Sequence, residues 1–328
     1  MTFRYNRFLQ IGLTLIPLLP HRIGLIYNPF AGGLKGGGRA RLDVAVRVLE
    51  QAGAKVEIMP TPGPQLAGEL AQKAVAAGCD LIVAAGGDGT INEAAHGIAG
   101  SHVLFGILPA GTANVLANEI GFSNRPDHAA AQLLDAVPVR IAMGALDREG
   151  EPRRNFVLMA GVGLDARIVY ELDLELKGKL GKLAYWHGGF KQLGRPVPRF
   201  HVSVNGAQYC ASFALITRVR NYGGDFEIAR RIRLTDDDFE VVIFQNRQWQ
   251  DYLRFFTAVM ANRLQHTSGV TIVRASEVKV DAPEDERIYI QTDGEAVGVL
   301  PATISAVPDA LTLLMPRRYA EGLGGPQP

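Results

Sequence analysis

The sequence contains few cysteines and carries almost no net charge. Cys79 and Cys210 are the two cysteines among 328 residues, and their spacing fits no metal motif. We therefore expect reduced core thiols in a reducing compartment rather than a disulfide framework. The net charge is +1, far from the strongly basic balance that is typical of nucleic-acid-binding proteins, so no nucleic-acid partner is expected.

The apolar segment Phe8 to Pro20 is too short to cross a bilayer, because a spanning helix needs about 20 apolar residues. Pro17 lies inside this segment, and no small-residue cleavage site follows it. We interpret residues 1–21 as an extension that lies outside the fold. The sequence shows no internal repeat, and its low-complexity parts are one glycine-rich loop and the Gly/Pro tail after Gly322.

The pattern of apolar residues changes near residue 141. A chain of 328 residues exceeds what one core usually serves, so two domains are expected. Between 22 and 140, strand-like runs alternate with helical stretches, which predicts an α/β domain with a mostly parallel sheet and helices on both faces. Between 141 and 318, successive strand-like runs predict a β-sandwich domain that completes the active site in the cleft between the domains. Residues 319–328 are expected to form a disordered tail.

Individual elements are also predicted by these patterns. The helical stretches of the first domain are Leu42–Ala52, Leu66–Ala77, Ile91–Ile98, Val115–Ile120 and His128–Asp135. The strand-like runs of the second domain include Asn155–Ala160, Ala211–Val219 and Val270–Val280. Two helical interludes are expected near 164–186 and 250–264.

The stretch Leu81 to Gly97 combines a buried strand, glycines and a helix. Leu81 to Ala85 are apolar, Gly86-Gly87-Asp88-Gly89-Thr90 follow, and a helical pattern starts with Ile91 and Asn92. Glycines let backbone N–H groups approach a phosphate at the positive end of the helix dipole. Asp88 fits this setting if Mg²⁺ or a hydroxyl donor lies between it and the phosphates. A plain strand-to-helix turn is the structural alternative.

Two further loops follow apolar strands and carry glycines. One begins at Asn28 and includes Lys35 and Arg39, without the order of a Walker loop or of a dinucleotide fingerprint. The other runs from Leu108 to Asn114. Such loops converge where open α/β sheets bind their ligands. Asn28 and Asn114 also fit turn formation or helix capping, and both interpretations stay open.

These motifs together resemble the catalytic domain shared by bacterial diacylglycerol kinases, sphingosine kinases and ceramide kinases. The first half carries G-G-D-G-T-I-N, N-P-x-A-G and P-x-G-T-x-N, and the second half carries G-V-G-L-D-A from Gly161, Y-G-G-D-F-E-I-A from Tyr222 and Q-T-D-G-E from Gln291. The resemblance spans roughly residues 22 to 316. It implies a first domain like those of phosphofructokinases and NAD kinases, with a β-sandwich after it.

The resemblance implies ATP and Mg²⁺ as cofactors of a phosphoryl transfer to an alcohol. The positions that match the family's ATP contacts are Asn28, Thr61, Gly86, Gly87, Asp88, Gly89, Thr90, Ile91, Asn92, Gly111 and Thr112. Thr61 lies in a proline-rich segment that composition alone would describe as a plain loop. Val115 replaces the aspartate that many members carry after the asparagine of P-x-G-T-x-N.

The family resemblance implies that an acidic residue of the Q-T-D-G-E motif takes part in catalysis. Glu295 is the first candidate for the general base, and Asp293 is expected to orient toward metal or water, although either carboxylate matches the role. A hairpin turn explains Asp293 and Gly294 equally well but gives no reason for Glu295. Asp165 resembles a family aspartate in a water and metal network near the substrate, and a helix N-cap is its alternative.

The family also carries a structural Mg²⁺ on its second domain. The matching positions are Asp236 for the side chain, with Arg233 and Asp238 for backbone carbonyls. Asp237 replaces the usual glycine, and Asp238 adds a further charge. Three consecutive carboxylates suit a hard cation, but a solvated turn is the competing interpretation.

The expected function is an ATP-dependent lipid kinase that acts on diacylglycerol or a similar lipid. A basic, aromatic-bearing stretch between Glu175 and Asp225 suits an anionic membrane surface. The protein is therefore expected to be cytoplasmic and peripheral at the inner face of the membrane, with a lipid substrate as partner and a homodimer left open. The alternatives are a soluble NAD-kinase-like enzyme and a catalytically silent lipid-binding protein.

Overall fold

The structure is a computed structural model that describes residues 22–163, 166, 199–222, 226–246, 249–261 and 263–322. The chain divides into two compact units. Of the described residues, the first contains 22–111, Ile120–Ile141 and 309–322, and the second contains Thr112–Glu119 and those between Ala142 and Pro308.

The first unit is built on a parallel sheet. Its strands are β1 Arg22–Tyr27, β2 Lys55–Pro60, β3 Leu81–Gly86 and β4 Leu104–Pro109. Its helices are α1 Gly38–Gln51, α2 Ala67–Ala76, α3 Asp88–Gly97, α5 Pro126–Leu134 and α7 Arg317–Gly322. The helix α4, Val115–Ile120, has all but its last residue in the second unit.

The strand order in this sheet is β2-β1-β3-β4, and all three pairings are parallel. Every residue of β3 is buried, because a central parallel strand is covered on both faces and therefore consists of a continuous apolar run. The helices α1 and α5 pack together, as do α2 and α3. The mostly parallel sheet with helices on both faces is thus confirmed.

The second unit is antiparallel. Its strands, some of which begin or end in the first unit, are β5 Val137–Asp147, β6 Arg154–Phe156, β7 Met159–Gly163, β8 Phe200–Val204, β9 Ala207–Ala211, β10 Phe213–Thr217, β11 Asn221–Tyr222, β12 Phe226–Glu227, β13 Phe239–Phe244, β14 Val270–Ala275, β15 Glu277–Asp281, β16 Tyr289–Thr292, β17 Glu295–Val299 and β18 Ala302–Met315. The helix α6 spans Trp249–Met260, near the predicted 250–264.

Two layers of this unit enclose one apolar core. One layer has the order β14-β13-β10-β7-β16-β17, and the other contains β9, β8, β15 and the first part of β18. Alternate residues of each strand point into the core, among them Val202 and Val280 from one layer and Val241 and Ile243 from the other. The predicted β-sandwich is confirmed.

Three predicted strands are interrupted. Asn155–Ala160 divides into β6 and β7, because Val157 and Leu158 donate their backbone N–H groups to a side chain. Ala211–Val219 is broken at Ser212, whose hydroxyl donates to the Asn246 carbonyl (2.6 Å). Val270–Val280 divides at Ser276, because β14 belongs to one layer and β15 to the other.

The C-terminal end of the first unit is helical further than the sequence predicts. The helix α7 extends to Gly322, so four residues assigned to the tail, 319–322, are helical. The extension 1–21 and residues 323–328 lie outside the described residues. Both cysteines are free; Cys79 is buried, and burial raises the pKa of its thiol, whereas Cys210 is half-buried.

Candidate active site

The glycine-rich turn lies where β3 ends and α3 begins. Gly87 precedes the helix in an extended conformation (φ −84°, ψ −179°), and Asp88 is the first residue of α3. The helix therefore starts three residues before the predicted Ile91, because a carboxylate is favourable in the first turn of a helix. First-turn N–H groups have no intrahelical acceptor, so the turn is suited to bind an anion.

Close packing requires the glycine at position 86. A Cβ added to Gly86 would lie 2.7 Å from the Cβ of Thr90 and 2.8 Å from its Oγ1. Thr90 is itself buried in the first turn of α3. The glycine thus lets the strand end directly against the start of the helix.

Backbone hydrogen bonds join the loops that follow β1, β3 and β4. The N–H of Asn28 donates to the Ala85 carbonyl (3.1 Å), and the N–H of Ala110 donates to the Gly86 carbonyl (2.8 Å). The N–H of Gly33 donates to the Ala110 carbonyl (2.9 Å). The structure therefore brings Asn28, Gly86 and the segment that follows β4, up to Gly111, together at the edge of the sheet where these strands have their carboxyl ends.

Two further predicted nucleotide contacts are buried in the first unit. The N–H of Thr61 donates to the Tyr27 carbonyl (2.9 Å), which places Thr61 at the same edge. The side chain of Asn92 is buried in α3, and its Oδ1 has no hydrogen-bond partner among the described residues. A ribose hydroxyl or an adenine amino group would supply the missing donor, so Asn92 fits a nucleotide contact.

The loop that follows β4 continues into the second unit with Thr112 and Asn114. Asn114 is buried and has a φ of 49°, a conformation that asparagine adopts more readily than most residues. Five residues later, the Glu119 side chain is 1 % exposed and accepts the backbone N–H of Arg220 (3.2 Å) and its Nε (3.3 Å). This ion pair fixes α4 to the segment before β11, and no motif in the sequence indicated it.

Asp293 is placed in the structural core of the second unit. Its backbone has a φ of 48° in the turn between β16 and β17. Its carboxylate accepts the backbone N–H groups of Val157 (2.8 Å), Leu158 (2.9 Å) and Met159 (2.8 Å). Both oxygens are therefore used in holding the β6–β7 break, whereas the sequence led us to expect an orientation toward metal or water.

Glu295 begins β17, two residues after Asp293, and is in a different environment. Its side chain is 29 % exposed, and its Oε2 accepts a hydrogen bond from Nη2 of Arg154. The bond to Arg154 orients the carboxylate while part of it stays accessible. Arg154 could not be found from the sequence, because it lies 141 positions away from its partner.

The residues expected to bind the structural Mg²⁺ make other contacts. The Arg233 carbonyl accepts the N–H of Asp236 (2.9 Å), and Asp236 Oδ2 accepts the N–H of Arg233 (3.0 Å). Both Asp236 and Asp238 form ion pairs with Arg274. Among the described residues, no group of three or more His, Cys, Asp or Glu side chains is arranged to hold a metal ion. At this turn, Asp236 and Asp238 therefore contact donors of the protein itself.

Asp165, together with most of the basic stretch between Glu175 and Asp225, lies outside the described residues. The same holds for residues 223–225 of the predicted glycine-rich segment.

The chain is similar to known proteins over nearly its whole length. A model described as "Diacylglycerol kinase catalytic domain" matches residues 22–146, and one described as "YegS C-terminal NAD kinase beta sandwich-like domain" matches residues 159–315. A diacylglycerol kinase of Bacillus subtilis (strain 168) is 30 % identical over 92 % of this chain and 99 % of its own length. The chain belongs to the diacylglycerol kinase catalytic-domain family. The resemblance stated from the motifs is thereby confirmed, and the protein is a kinase.

Other relatives agree with this assignment. A diacylglycerol kinase of Mycobacterium tuberculosis (strain ATCC 25618 / H37Rv) is 28 % identical over 90 % of this chain and 97 % of its own length. A crystal structure of a diacylglycerol kinase from Bacillus anthracis str. Sterne superposes with a TM-score of 0.74 at 21 % identity, covering 91 % of this chain and 98 % of that chain. This last likeness shows the shared fold. No helix in the described part of the chain is both long and apolar enough to span a membrane.

Proposed function

We propose that the protein is an ATP-dependent kinase that transfers a phosphoryl group to a hydroxyl of diacylglycerol or a related lipid. The observation that carries the proposal is the glycine-rich turn at the start of α3, in a chain whose relatives over most of its length are named diacylglycerol kinases. The buried, unpaired Oδ1 of Asn92 supports a nucleotide with hydrogen-bond donors at this edge.

ATP binds in this proposal through the loops of the first unit. The first turn of α3 and the glycines before it face the phosphates, because these elements offer backbone N–H groups and the positive end of a helix dipole. Asp88 is the residue that would hold Mg²⁺, which neutralises charge on the transferring phosphate. Thr61, Asn92 and Thr112 are further nucleotide contacts in this proposal.

Glu295 is the proposed general base. It takes the proton of the lipid hydroxyl, and the alcohol oxygen forms a bond to the γ-phosphorus. The bond from the γ-phosphorus to the bridging oxygen breaks, and ADP leaves with that oxygen. Asp293 is assigned a positioning role instead, because three backbone N–H groups already use its oxygens.

The substrate class also sets the place of action in this proposal. A lipid with long acyl chains stays in the bilayer, so the kinase acts as a peripheral protein at the cytoplasmic face of the membrane, where ATP is present. A homodimer remains a prediction, and sedimentation of the purified chain would test it.

The experiment is transfer of labelled γ-phosphate from ATP to a panel of acceptors. The purified chain is offered mixed micelles of diacylglycerol, monoacylglycerol, phosphatidylglycerol, sphingosine or ceramide, with NAD as a soluble acceptor. The proposal predicts label in a lipid, and the labelled lipid identifies the substrate. Label in NAD alone would favour an NAD-kinase-like enzyme, and no label despite ATP binding would favour a catalytically silent lipid-binding protein.

A further inference from the structure

The turn before β13 is held together by arginines. We call residues Arg233–Asp238, with their three consecutive carboxylates, the acidic turn. The family resemblance implies a structural Mg²⁺ at this position, bound by one carboxylate and neighbouring carbonyls. In this chain, Arg274 from β14 and Arg218 from the segment after β10 contact the same groups.

Arg274 contacts both flanking carboxylates of the acidic turn. Its Nε donates to Asp238 Oδ2 (2.9 Å), and its Nη2 donates to Asp236 Oδ2 (2.8 Å) and to Asp238 Oδ1. Its Nη1 donates to the Arg231 carbonyl. All three nitrogens of the guanidinium thus face oxygens of the acidic turn or of Arg231 just before it, and a planar fork of donors suits this arrangement.

Arg218 contacts the backbone of the same turn from the buried side. Its side chain is fully buried, and its Nη2 donates to the carbonyls of Leu234 (2.7 Å) and Asp236 (3.1 Å). Its Nη1 lies 3.4 Å from the Asp238 carbonyl. The carbonyl of Asp238, one of the expected metal ligands, is therefore already in contact with a cation.

A divalent cation does not fit beside these guanidinium groups. Mg²⁺ requires about six oxygens at roughly 2.0–2.1 Å in octahedral geometry. Here the Asp236 carboxylate and the Asp238 carbonyl point toward positively charged donors, which would repel a second cation at the same oxygens.

We propose that Arg274 and Arg218 take the place of the divalent cation at the acidic turn, so that the fold of the second unit does not depend on bound Mg²⁺. The departures from the family pattern agree with this, because Asp238, which adds a charge to the turn, is the bidentate partner of Arg274. Burial acts to lower the pKa of Arg274, but hydrogen bonds to Asp238 and Asp236 outweigh it and leave the pKa raised.

The test is the thermal midpoint of the full chain without nucleotide. The chain is stripped with EDTA and then measured with EDTA or with millimolar Mg²⁺ at matched ionic strength. A ligand that binds the native state alone raises the midpoint, so the wild-type chain is expected to show the same Tm in both buffers, within about 1 °C. A Mg²⁺-dependent rise that Asp236→Asn abolishes would overturn the proposal.

A variant series tests the arginine directly. Arg274→Gln is expected to lower Tm by more than about 4 °C, because it leaves two carboxylates without their half-buried, hydrogen-bonded partner. Arg263→Gln, the same change at an exposed arginine of the same unit, is the matched control and is expected to leave Tm unchanged. Arg274→Lys keeps the positive charge but loses the planar set of guanidinium donors, so its Tm should lie between those of Arg274→Gln and Arg263→Gln. This variant can still be measured if Arg274→Gln does not fold. Melting of Arg274→Gln or Arg274→Lys at the Tm of Arg263→Gln would contradict the proposal.

Discussion

The two units differ in the polar groups that their loops offer to a ligand. The glycine-rich loops of the first unit present hydrogen-bond donors, whereas carboxylates at turns of the second unit are already bound by donors of the protein. In the first unit, β3 ends at Gly86, Gly87 follows, and a helix starts at Asp88, so the turn presents backbone donors at the sheet edge. In the second unit, three carboxylates lie at turns, and the protein's own donors already bind them. Asp293 is used by backbone N–H groups, and Asp236 and Asp238 by Arg274.

This difference shows how far a glycine-rich motif and a carboxylate motif each indicate a ligand-binding site. A glycine-rich turn before a helix indicates a site directly, because the donors belong to the motif itself. A carboxylate in a motif indicates a site only when its partner is known, and that partner can come from a distant part of the chain. Glu295 remains the accessible carboxylate of the Q-T-D-G-E turn, while Asp293 holds the turn in place.

The largest effect is expected from Asp293→Asn. An amide has one acceptor oxygen and cannot accept the three N–H groups that the carboxylate accepts. We expect the free energy of unfolding to fall by about 3–5 kcal/mol, because buried donors lose a charged partner. Urea denaturation measures this change.

The control for this prediction is Asp285→Asn, which changes an exposed carboxylate of the same unit. Its unfolding free energy should stay within about 0.5 kcal/mol of wild type. If Asp293→Asn were equally harmless, the carboxylate would not hold the β6–β7 break.

A smaller effect is expected from Gly86→Ala. The added Cβ would lie 2.7 Å from the Cβ of Thr90, so α3 must shift, at a cost of about 1–3 kcal/mol. Nucleotide affinity should fall as well, because the first turn of α3 moves. Denaturation and a fluorescent-nucleotide titration report the two effects.

Gly322→Ala is the matched change in the same unit, since a Cβ there meets no atom within 4 Å. It should leave stability within about 0.5 kcal/mol of wild type and affinity unaltered. Equal behaviour of the two alanine variants would remove the packing argument for Gly86.

The smallest effect is expected from Glu119→Gln. Glu119 is buried but Arg220 is 43 % exposed, so solvent screening reduces the loss to about 1 kcal/mol. Because α4 directly follows the loop with Gly111 and Thr112, we expect KM for ATP to rise about fivefold with kcat nearly constant.

The control is Asp127→Asn, which breaks the Arg125–Asp127 ion pair elsewhere in the chain and should leave KM for ATP unchanged. A change in kcat alone would argue against a positioning role.

The parts of the fold that local sequence determines were predictable. The run Leu81–Gly86 is apolar throughout, because β3 is central and buried, and the glycines after it mark the start of α3. The edge strand β2 was not predicted, because its mixed exposure leaves no apolar run and no strict alternation.

The parts that distant residues determine were not predictable. The break between β6 and β7 is caused by Asp293, which lies 136 positions from Val157. The contacts of the acidic turn depend on Arg274, 38 positions from Asp236, and no local pattern distinguishes that arginine from others. The family resemblance indicated which residues lie at the acidic turn. It did not indicate that an arginine lies where a metal was expected.

The most direct test of the account compares wild type with Glu295→Gln in one assay. Labelled ATP and diacylglycerol micelles are offered to both, and ATP binding is titrated separately. We expect labelled lipid with wild type and a turnover lower by at least about 10²-fold in the variant, at unchanged ATP affinity. Equal turnover would remove Glu295 from the mechanism, and no labelled lipid from wild type would contradict the assignment of diacylglycerol as substrate.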